Sequence, residues 1–139
     1  MYRKTVKVFL LMMFAFLVAV QPLSAATKTV KVKVTLVSVE LVENHHVGNE
    51  WLTKGYVNGK EIKEGSTVTL NLKPTDRIRL KAYAEEQDKI PESGTANATL
   101  KVSSIKSTIN KSLKVTVVEN RGRYSGNTAE WKFVYKIAK

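Results

Sequence analysis

The fold class follows from one alternating stretch of the sequence, Arg77-Ile78-Arg79-Leu80-Lys81-Ala82-Tyr83-Ala84. Apolar residues occupy every second position of this stretch, and basic residues or a tyrosine stand between them. Because side chains alternate between the two faces of a β-strand, the pattern predicts a strand with one face in a core and the other in solvent. Helical periodicity, with apolar residues three to four positions apart, is almost missing from the chain after residue 26.

Alternation and turn signals divide the rest of the chain into further short strands. The segments that we expect to be strands are residues 28–42, 51–57, 60–63, 68–72, 96–102, 113–117 and 129–137. Asn58-Gly59, between two of them, is a strong hairpin signal. Short strands with turns at regular intervals predict an all-β fold, an antiparallel β-sandwich of about seven to eight strands, and a closed barrel is the alternative.

The apolar set changes phase within the first of these segments. It occupies even positions first and odd positions afterwards: Val30, Val32 and Val34, then Val37, Val39 and Leu41. Because the period of a strand is two, this phase change predicts a β-bulge, or a bend that carries the chain from one sheet to another.

The N-terminal residues have the pattern of an export signal. A basic start is followed by an uncharged apolar run over residues 8–20 and by the small residues Ser24-Ala25-Ala26, which predicts a secretory signal peptide over residues 1–26. The apolar run is shorter than the roughly twenty residues that span a bilayer. We therefore expect cleavage after Ala26, or after Ala25, and a single β-sandwich domain over residues 27–139. This domain would be secreted or extracellular, with envelope association as one destination and no transmembrane segment.

The charge of the chain is strongly positive. Lys and Arg number 23 against 12 Asp and Glu, a formal net charge of +11, and there is no cysteine for a disulfide, a thiolate metal site or a thiol nucleophile. A basic exported protein attracts anionic cell-envelope polymers or lipid head groups, and a protein partner is also open. Nucleic acid is not favoured, because only Tyr83 lies among the basic rows for base stacking. These rows are Lys28, Lys31 and Lys33, and Arg77, Arg79 and Lys81.

Motifs for nucleophilic catalysis are missing from the sequence. There is no Gly-x-Ser-x-Gly elbow, and the Ser, His and Asp residues show no arrangement of a triad. We therefore predict that the protein is not an enzyme. A small hydrolase that uses two convergent carboxylates in a deep pocket is the alternative.

The stretch Glu85-Glu86-Gln87-Asp88-Lys89-Ile90-Pro91-Glu92-Ser93-Gly94 is the main candidate for a site. It directly follows a strand and is expected to be a loop. Calcium takes six to eight oxygen ligands, and alternate acids in an irregular loop can direct several carboxylates at one ion. The predicted set is Glu86, Asp88 and Glu92, while Glu85 faces the other way as long as the strand persists. A solvated acidic turn is the alternative, and His45-His46 with Glu43 or Glu50 is a second candidate, for zinc.

If every connection reverses the chain direction, the loops gather at two ends of the sandwich. One end then collects residues 43–50, 63–66, 85–94 and 119–127, and the other collects residues 58–59, 73–76 and 103–111. Most carboxylates of the chain fall at the first end. The last loop there contains Arg121, Arg123 and Tyr124, which we predict as partner-binding residues because two guanidinium groups, a phenol and free backbone amides suit an anionic group.

The candidate site also resembles a known family. The strand over residues 78–84, the pairs Glu86-x-Asp88 and Glu92-x-Gly94, and the next strand are similar to the third-loop region of the calcium-dependent lipid-binding domains. Those domains are eight-stranded sandwiches first defined as conserved region two of protein kinase C. The resemblance covers about half of the predicted domain by pattern, and it implies functional loops at one end and calcium as the ligand. The calcium ligands of that family are mostly aspartates, whereas Asp88 is the only aspartate in the loops concerned.

The sequence thus predicts a secreted, non-enzymatic binding module whose acidic loop end binds a cation or a partner. No cofactor is certain, and calcium is the candidate. The alternative is a basic, envelope-associated structural protein that is retained on anionic polymers or lipid head groups through a sheet face.

Overall fold

The computed structural model describes residues 26–139, so the predicted signal peptide lies, but for Ala26, outside the described residues. The described chain forms eight strands and two short 3-10 turns, at Val102–Ser104 and Gly122–Tyr124. Within it, no helix has the length and apolar character needed to cross a bilayer. The strands are β1 (Val30–Asn44), β2 (Trp51–Val57), β3 (Lys60–Ile62), β4 (Thr67–Leu72), β5 (Arg77–Glu86), β6 (Glu92–Lys101), β7 (Ile109–Val118) and β8 (Thr128–Ala138).

The strands form two antiparallel four-stranded sheets that pack against each other. The first sheet has the order β4-β1-β8-β7, and the second has the order β3-β2-β5-β6. The predicted all-β antiparallel sandwich is confirmed, and the alternative of a closed barrel is wrong. The alternating stretch over residues 77–84 lies in β5, an inner strand of the second sheet.

The phase change in the first strand is a bulge. The register between β1 and β8 shifts between Leu36 and Ser38, and it shifts again between Leu41 and Glu43. Bulges let a long strand bend while it stays paired. β1 therefore remains in the first sheet along its whole length, and the predicted alternative of a bend between sheets is wrong.

The core lies between the two sheets and is almost entirely apolar. Its largest fully buried side chains include Leu36 from β1, Ile78 and Leu80 from β5, and Phe133 and Tyr135 from β8. The side chains that face inward from the strands alternate with polar side chains that face solvent, as the period of two requires.

One buried hydroxyl connects the two layers. Tyr135 on β8 donates a hydrogen bond to the carbonyl oxygen of Lys81 on β5 (2.7 Å) and accepts one from the backbone N–H of Tyr56 on β2 (3.2 Å). Burial raises the pKa of the Tyr135 phenol to about 12. Because a buried hydroxyl is stabilised only when it has partners, these bonds fix the position of one sheet relative to the other.

Three of the four loops that we expected together meet at one end, which we call the loop end: residues 45–50, 87–91 and 119–127. His45 donates its backbone N–H to Thr128 at the edge of the last of these loops (3.0 Å), and Gln87 donates to Glu50 (2.6 Å). The fourth loop, residues 63–66, lies instead beside the middle of β1, where Gly65 donates to Leu36 (2.7 Å). The preceding strand, β3, has only three residues, so the chain turns before it reaches the loop end.

One side of the sandwich is closed by a very close approach of the two sheets. Gly94 on β6 faces the backbone carbonyl of Thr116 on β7, and a Cβ atom at Gly94 would collide with that oxygen. The backbone of Gly94 has an ordinary strand conformation, so the absence of a side chain there serves the packing of the two backbones.

Candidate metal centre

Glu86 is the last residue of the inward-facing row of β5. Ile78, Leu80, Ala82 and Ala84 precede it at every second position, and all four are buried. The alternation continues without a break, so the carboxylate of Glu86 faces inward and only 3% of the residue is exposed. Its neighbour Glu85 faces the outer side, as expected, and accepts a hydrogen bond from the Tyr83 hydroxyl.

Glu92 lies directly opposite Glu86 on the neighbouring strand. β5 continues through Glu86 and β6 begins at Glu92, so the turn between them is residues 87–91, shorter than the predicted loop over residues 85–94. The predicted C-terminal end of the loop was wrong because Ser93 is polar and Gly94 is small, and both residue types suggest a loop. In the structure Ser93 faces solvent and Gly94 permits the close contact with β7.

The turn brings a third carboxylate to this pair. The backbone N–H of Asp88 donates to Oε2 of Glu86 (3.0 Å), and Oδ1 of Asp88 accepts from the N–H of Ile90 (2.7 Å), which holds the turn in shape. One carboxylate oxygen from each of Glu86, Asp88 and Glu92 lies within 4.8 Å of the other two. The structure thus brings together all three residues predicted as the metal set.

Two of these carboxylates are removed from water without a compensating charge. Glu92 is 6% exposed, and its Oε2 is buried with no hydrogen-bond partner. Both salt bridges of the described chain, Lys54–Glu61 and Lys114–Glu130, lie elsewhere. A buried, unpaired carboxylate is unfavourable unless it binds a proton or a cation.

The pKa values of the buried pair follow from this environment. Burial raises the pKa of Glu86, and the charges of Asp88 and Glu92 act in the same direction, while backbone N–H groups oppose the shift. Burial also raises the pKa of Glu92, and the next largest cause is the carboxylate of Glu119. Glu119 begins the loop over residues 119–127, so a fourth acid from the first sheet faces the site.

The loop over residues 45–50 covers Glu86. Gly48 has a φ of +144° and packs against the Glu86 carboxylate so closely that a Cβ atom there would collide with it. The carbonyl oxygen of Gly48 accepts from the Asn44 side chain (2.7 Å) and from Nε1 of Trp51 (3.3 Å). The Val47 side chain is buried in the core and holds the loop against the sandwich by apolar packing. The cover is therefore held by hydrogen bonds and by apolar packing.

The predicted partner-binding residues lie in the third loop of this end. The Tyr124 ring stacks on His46 from the first loop (centroid distance 5.1 Å), and the guanidinium carbon of Arg123 lies 5.8 Å from the Tyr124 ring centroid. The backbone N–H of Arg121 donates to Glu119 (3.1 Å). All three predicted residues are exposed, so they remain available, and their partner role stays a prediction.

The histidine pair does not form the predicted zinc alternative. Among residues 26–139, the only group of three or more His, Cys, Asp and Glu side chains with converging ligand atoms is the acidic set. His46, with a φ of 59°, turns toward Tyr124. Within residues 26–139, no carboxylate therefore converges with both histidines on one ion.

Sequence reasoning did not assign a site role to two residues. Gly48 acts by having no side chain, and Glu119 faces Glu92 from the other sheet. The signal for Glu119 was its place among the acids expected at one end of the sandwich. For Gly48 the sequence has no such signal, because its contact depends on the path of the loop.

The stability of the metal-free protein is expected to rise as the pH falls from neutrality toward the ordinary glutamate pKa of about 4.5. The folded-state pKa values of Glu86 and Glu92 are raised, so the folded state binds protons more tightly than the unfolded chain. The stabilisation is complete below the unfolded-state pKa and is lost as the pH rises through the folded-state pKa. Melting temperatures in the presence of a chelator measure this change.

The doubly substituted protein, Glu86→Gln with Glu92→Gln, is the control for this pH dependence. Acids remote from the site contribute equally to both proteins, so the difference between the two melting curves reports the buried pair together with Asp88 and Glu119, whose charges act on it. A difference that does not change between neutral and mildly acid pH would contradict the expected burial of two charged groups.

In comparisons with known proteins, no family model matches this chain, and a search of curated proteins gives no match. A function for the chain therefore has to come from its own residues.

Proposed function

We propose that this protein is a secreted, non-enzymatic binding module whose loop end binds a divalent cation, with calcium as the ion that suits the site. The ligands are the carboxylates of Glu86, Asp88 and Glu92. Arg121, Arg123 and Tyr124 surround the same end and are the residues that would contact a partner there.

The buried Glu92 carboxylate carries this proposal. Its Oε2 has no hydrogen-bond partner, although an oxygen of Glu92 lies within 4.8 Å of ligand oxygens from Glu86 and Asp88. Three acids at this spacing repel one another when all are ionised, and burial strengthens the repulsion. A divalent cation among them removes the repulsion and supplies the missing partner for the oxygen.

The chemistry of the ligand set favours calcium. All three ligands are carboxylates, and hard oxygen ligands suit calcium or magnesium better than zinc. Asp88 is exposed, so the open side of the site can supply water molecules to complete a coordination number of six to eight. Magnesium requires a nearly ideal octahedron and retains most of its water, which fits a site on an irregular turn less well.

Calorimetric titration of the chelator-treated protein with calcium tests the proposal. We expect one site per chain with a Kd of about 10⁻⁴ to 10⁻³ M, the range of extracellular calcium modules. Ligands that bind only the folded state raise its stability, so the melting temperature should increase with the calcium concentration. Magnesium at equal concentration should produce a smaller shift. If the titration shows no heat and the melting temperature does not change up to about 10 mM calcium, the cation is excluded.

A further inference from the structure

The outer face of the first sheet carries a depression that lies away from the acidic site. Its volume is about 420 Å³, within the range of roughly 300–1,000 Å³ that is usual for small-ligand sites. We call it the trough, and its lining residues are Lys33, Thr35, Thr67, Thr69, Lys136 and Ala138. They come from β1, β4 and β8, three segments that are remote in sequence.

The trough results from two neighbouring rows of side chains across these strands. Lys33 pairs with Thr69 on one side and with Ala138 on the other. Two residues along β1, Thr35 pairs with Thr67 and with Lys136 in the same manner. Four short side chains thus lie beside two long lysine side chains, Lys33 on the middle strand and Lys136 on β8.

The two lysines are diagonal neighbours on the sheet. Strands lie about 4.8 Å apart, and alternate residues on one strand about 7 Å apart, so the Cα atoms of Lys33 and Lys136 are separated by roughly 8 Å. Two ammonium groups on flexible stems can converge on one anion across this distance. Neither lysine takes part in a salt bridge within residues 26–139.

The lining is rich in hydrogen-bond donors. No carboxylate belongs to it, and three of its members carry hydroxyl groups. The hydroxyls of Thr35 and Thr67 lie 2.6 Å apart and share a hydrogen bond, so at most one of the two protons is used between them. Ammonium and hydroxyl donors with no carboxylate among them are a combination that suits the oxygens of a phosphate group.

We propose that the trough binds phosphate groups of a soluble linear polyanion. Lys31, one alternate position before Lys33, extends the positive row along the strand, as a repeating anion requires. From Thr35 to Asn44, where β1 ends, the strand advances by nine residue steps, or about 30 Å, so this site is separate from the cation site at the loop end. A single chain therefore offers a cation site and an anion site at separate places.

The surroundings favour a polymer over a membrane surface. Of the large apolar side chains that are exposed in residues 26–139, none belongs to the lining of the trough. Ile90 and Tyr124, which are among these exposed residues, lie at the loop end. A phosphate chain can lie in a depression on a sheet face and needs no apolar insertion into lipid.

Titration of the purified protein with sodium polyphosphate of defined length tests the trough. We expect the double variant Lys33→Gln, Lys136→Gln to bind about tenfold more weakly than the wild type, since two charge-assisted contacts are lost. The matched control is Lys101→Gln, Lys106→Gln, which removes the same charge at exposed positions outside the trough. It should change the affinity by less than about twofold. Lys33→Arg with Lys136→Arg should retain binding.

Nuclear magnetic resonance of the wild type locates the contact without any substitution. The amide signals of Thr35, Thr67 and Thr69 should shift on addition of polyphosphate, and inorganic phosphate should shift the same signals at higher concentration. Equal losses of polyphosphate affinity in the two double glutamine variants, or amide shifts spread evenly over both sheets, would overturn the proposal in favour of general charge attraction. Binding to phosphatidylglycerol vesicles that depends on Lys33 and Lys136, with no binding of polyphosphate, would also overturn it.

Discussion

Replacement of Glu92 by glutamine is expected to weaken calcium binding by about 100-fold. The substitution keeps the shape of the side chain but removes a negative charge from a site where burial leaves it little screened. The same substitution should raise the melting temperature of the metal-free protein at neutral pH, because a buried charge with an unpartnered oxygen is removed. Opposite signs for the two effects are the signature of a cation site, and a packing defect would lower both.

The neighbouring glutamate provides a matched control. Glu85→Gln also removes one negative charge, from a residue that faces the outer side and binds the Tyr83 hydroxyl. Its calcium affinity should differ from that of the wild type by less than about threefold, as expected for a screened surface charge. If calorimetry shows similar losses for both variants, the ion is attracted by the general charge of the loop end, and the three carboxylates are not its ligands.

Replacement of Gly94 by alanine is expected to destabilise the protein by about 3 kcal/mol. The added Cβ atom would collide with the carbonyl oxygen of Thr116, which belongs to the backbone of β7 and cannot turn away like a side chain. The two sheets would have to separate at their closed side. For a domain of this size, a loss of 1 kcal/mol lowers the melting temperature by about 4 °C, so we expect a decrease of about 12 °C.

The expected loss of stability in Gly94→Ala is opposite in sign to the usual effect of this substitution in a strand. Without the contact, alanine would be favoured over glycine in a strand by roughly 0.5–1 kcal/mol. Thr95→Ala, at the next position and on the outer face, should cost at most about 1 kcal/mol and is the control. Denaturant unfolding measures both values, and a neutral or stabilising Gly94→Ala would show that the sheets do not approach each other as closely as described.

The architecture was largely predictable because the alternation in this chain has few interruptions. The stretch over residues 77–84 is the inner strand β5, and the phase change in the first strand is a bulge. The position of residues 63–66 was not predictable in the same way. Counting strands gives their direction but not their length, and β3 is too short to carry the following turn to the loop end.

The metal set was predictable from parity and proximity in sequence. Glu86 continues the inward row of β5, and this can be read from the sequence once the strand is recognised. The place of Glu92 depends on the number of residues in the turn, since one residue more or less would move it to the outer face. Its burial opposite Glu86 therefore required the structure.

Contacts between remote segments could not be predicted from the sequence. The trough needs β1, β4 and β8 in one sheet and in one register, and many registers are compatible with three alternating strands. The covering role of Gly48 likewise depends on the path of its loop over Glu86. A single sequence carries no direct signal for either arrangement.

The Tyr135 hydroxyl has a consequence for the geometry of the acidic site. The turn over residues 87–91 is carried by the second sheet, the loop over residues 119–127 by the first, and residues 45–50 cross from one to the other. Any shear between the layers would therefore change the separation of Glu92 and Glu119. Sliding would break both hydrogen bonds of Tyr135 in a dry interior, so this phenol, together with the close contact of Gly94 and Thr116, holds the two acids at their separation.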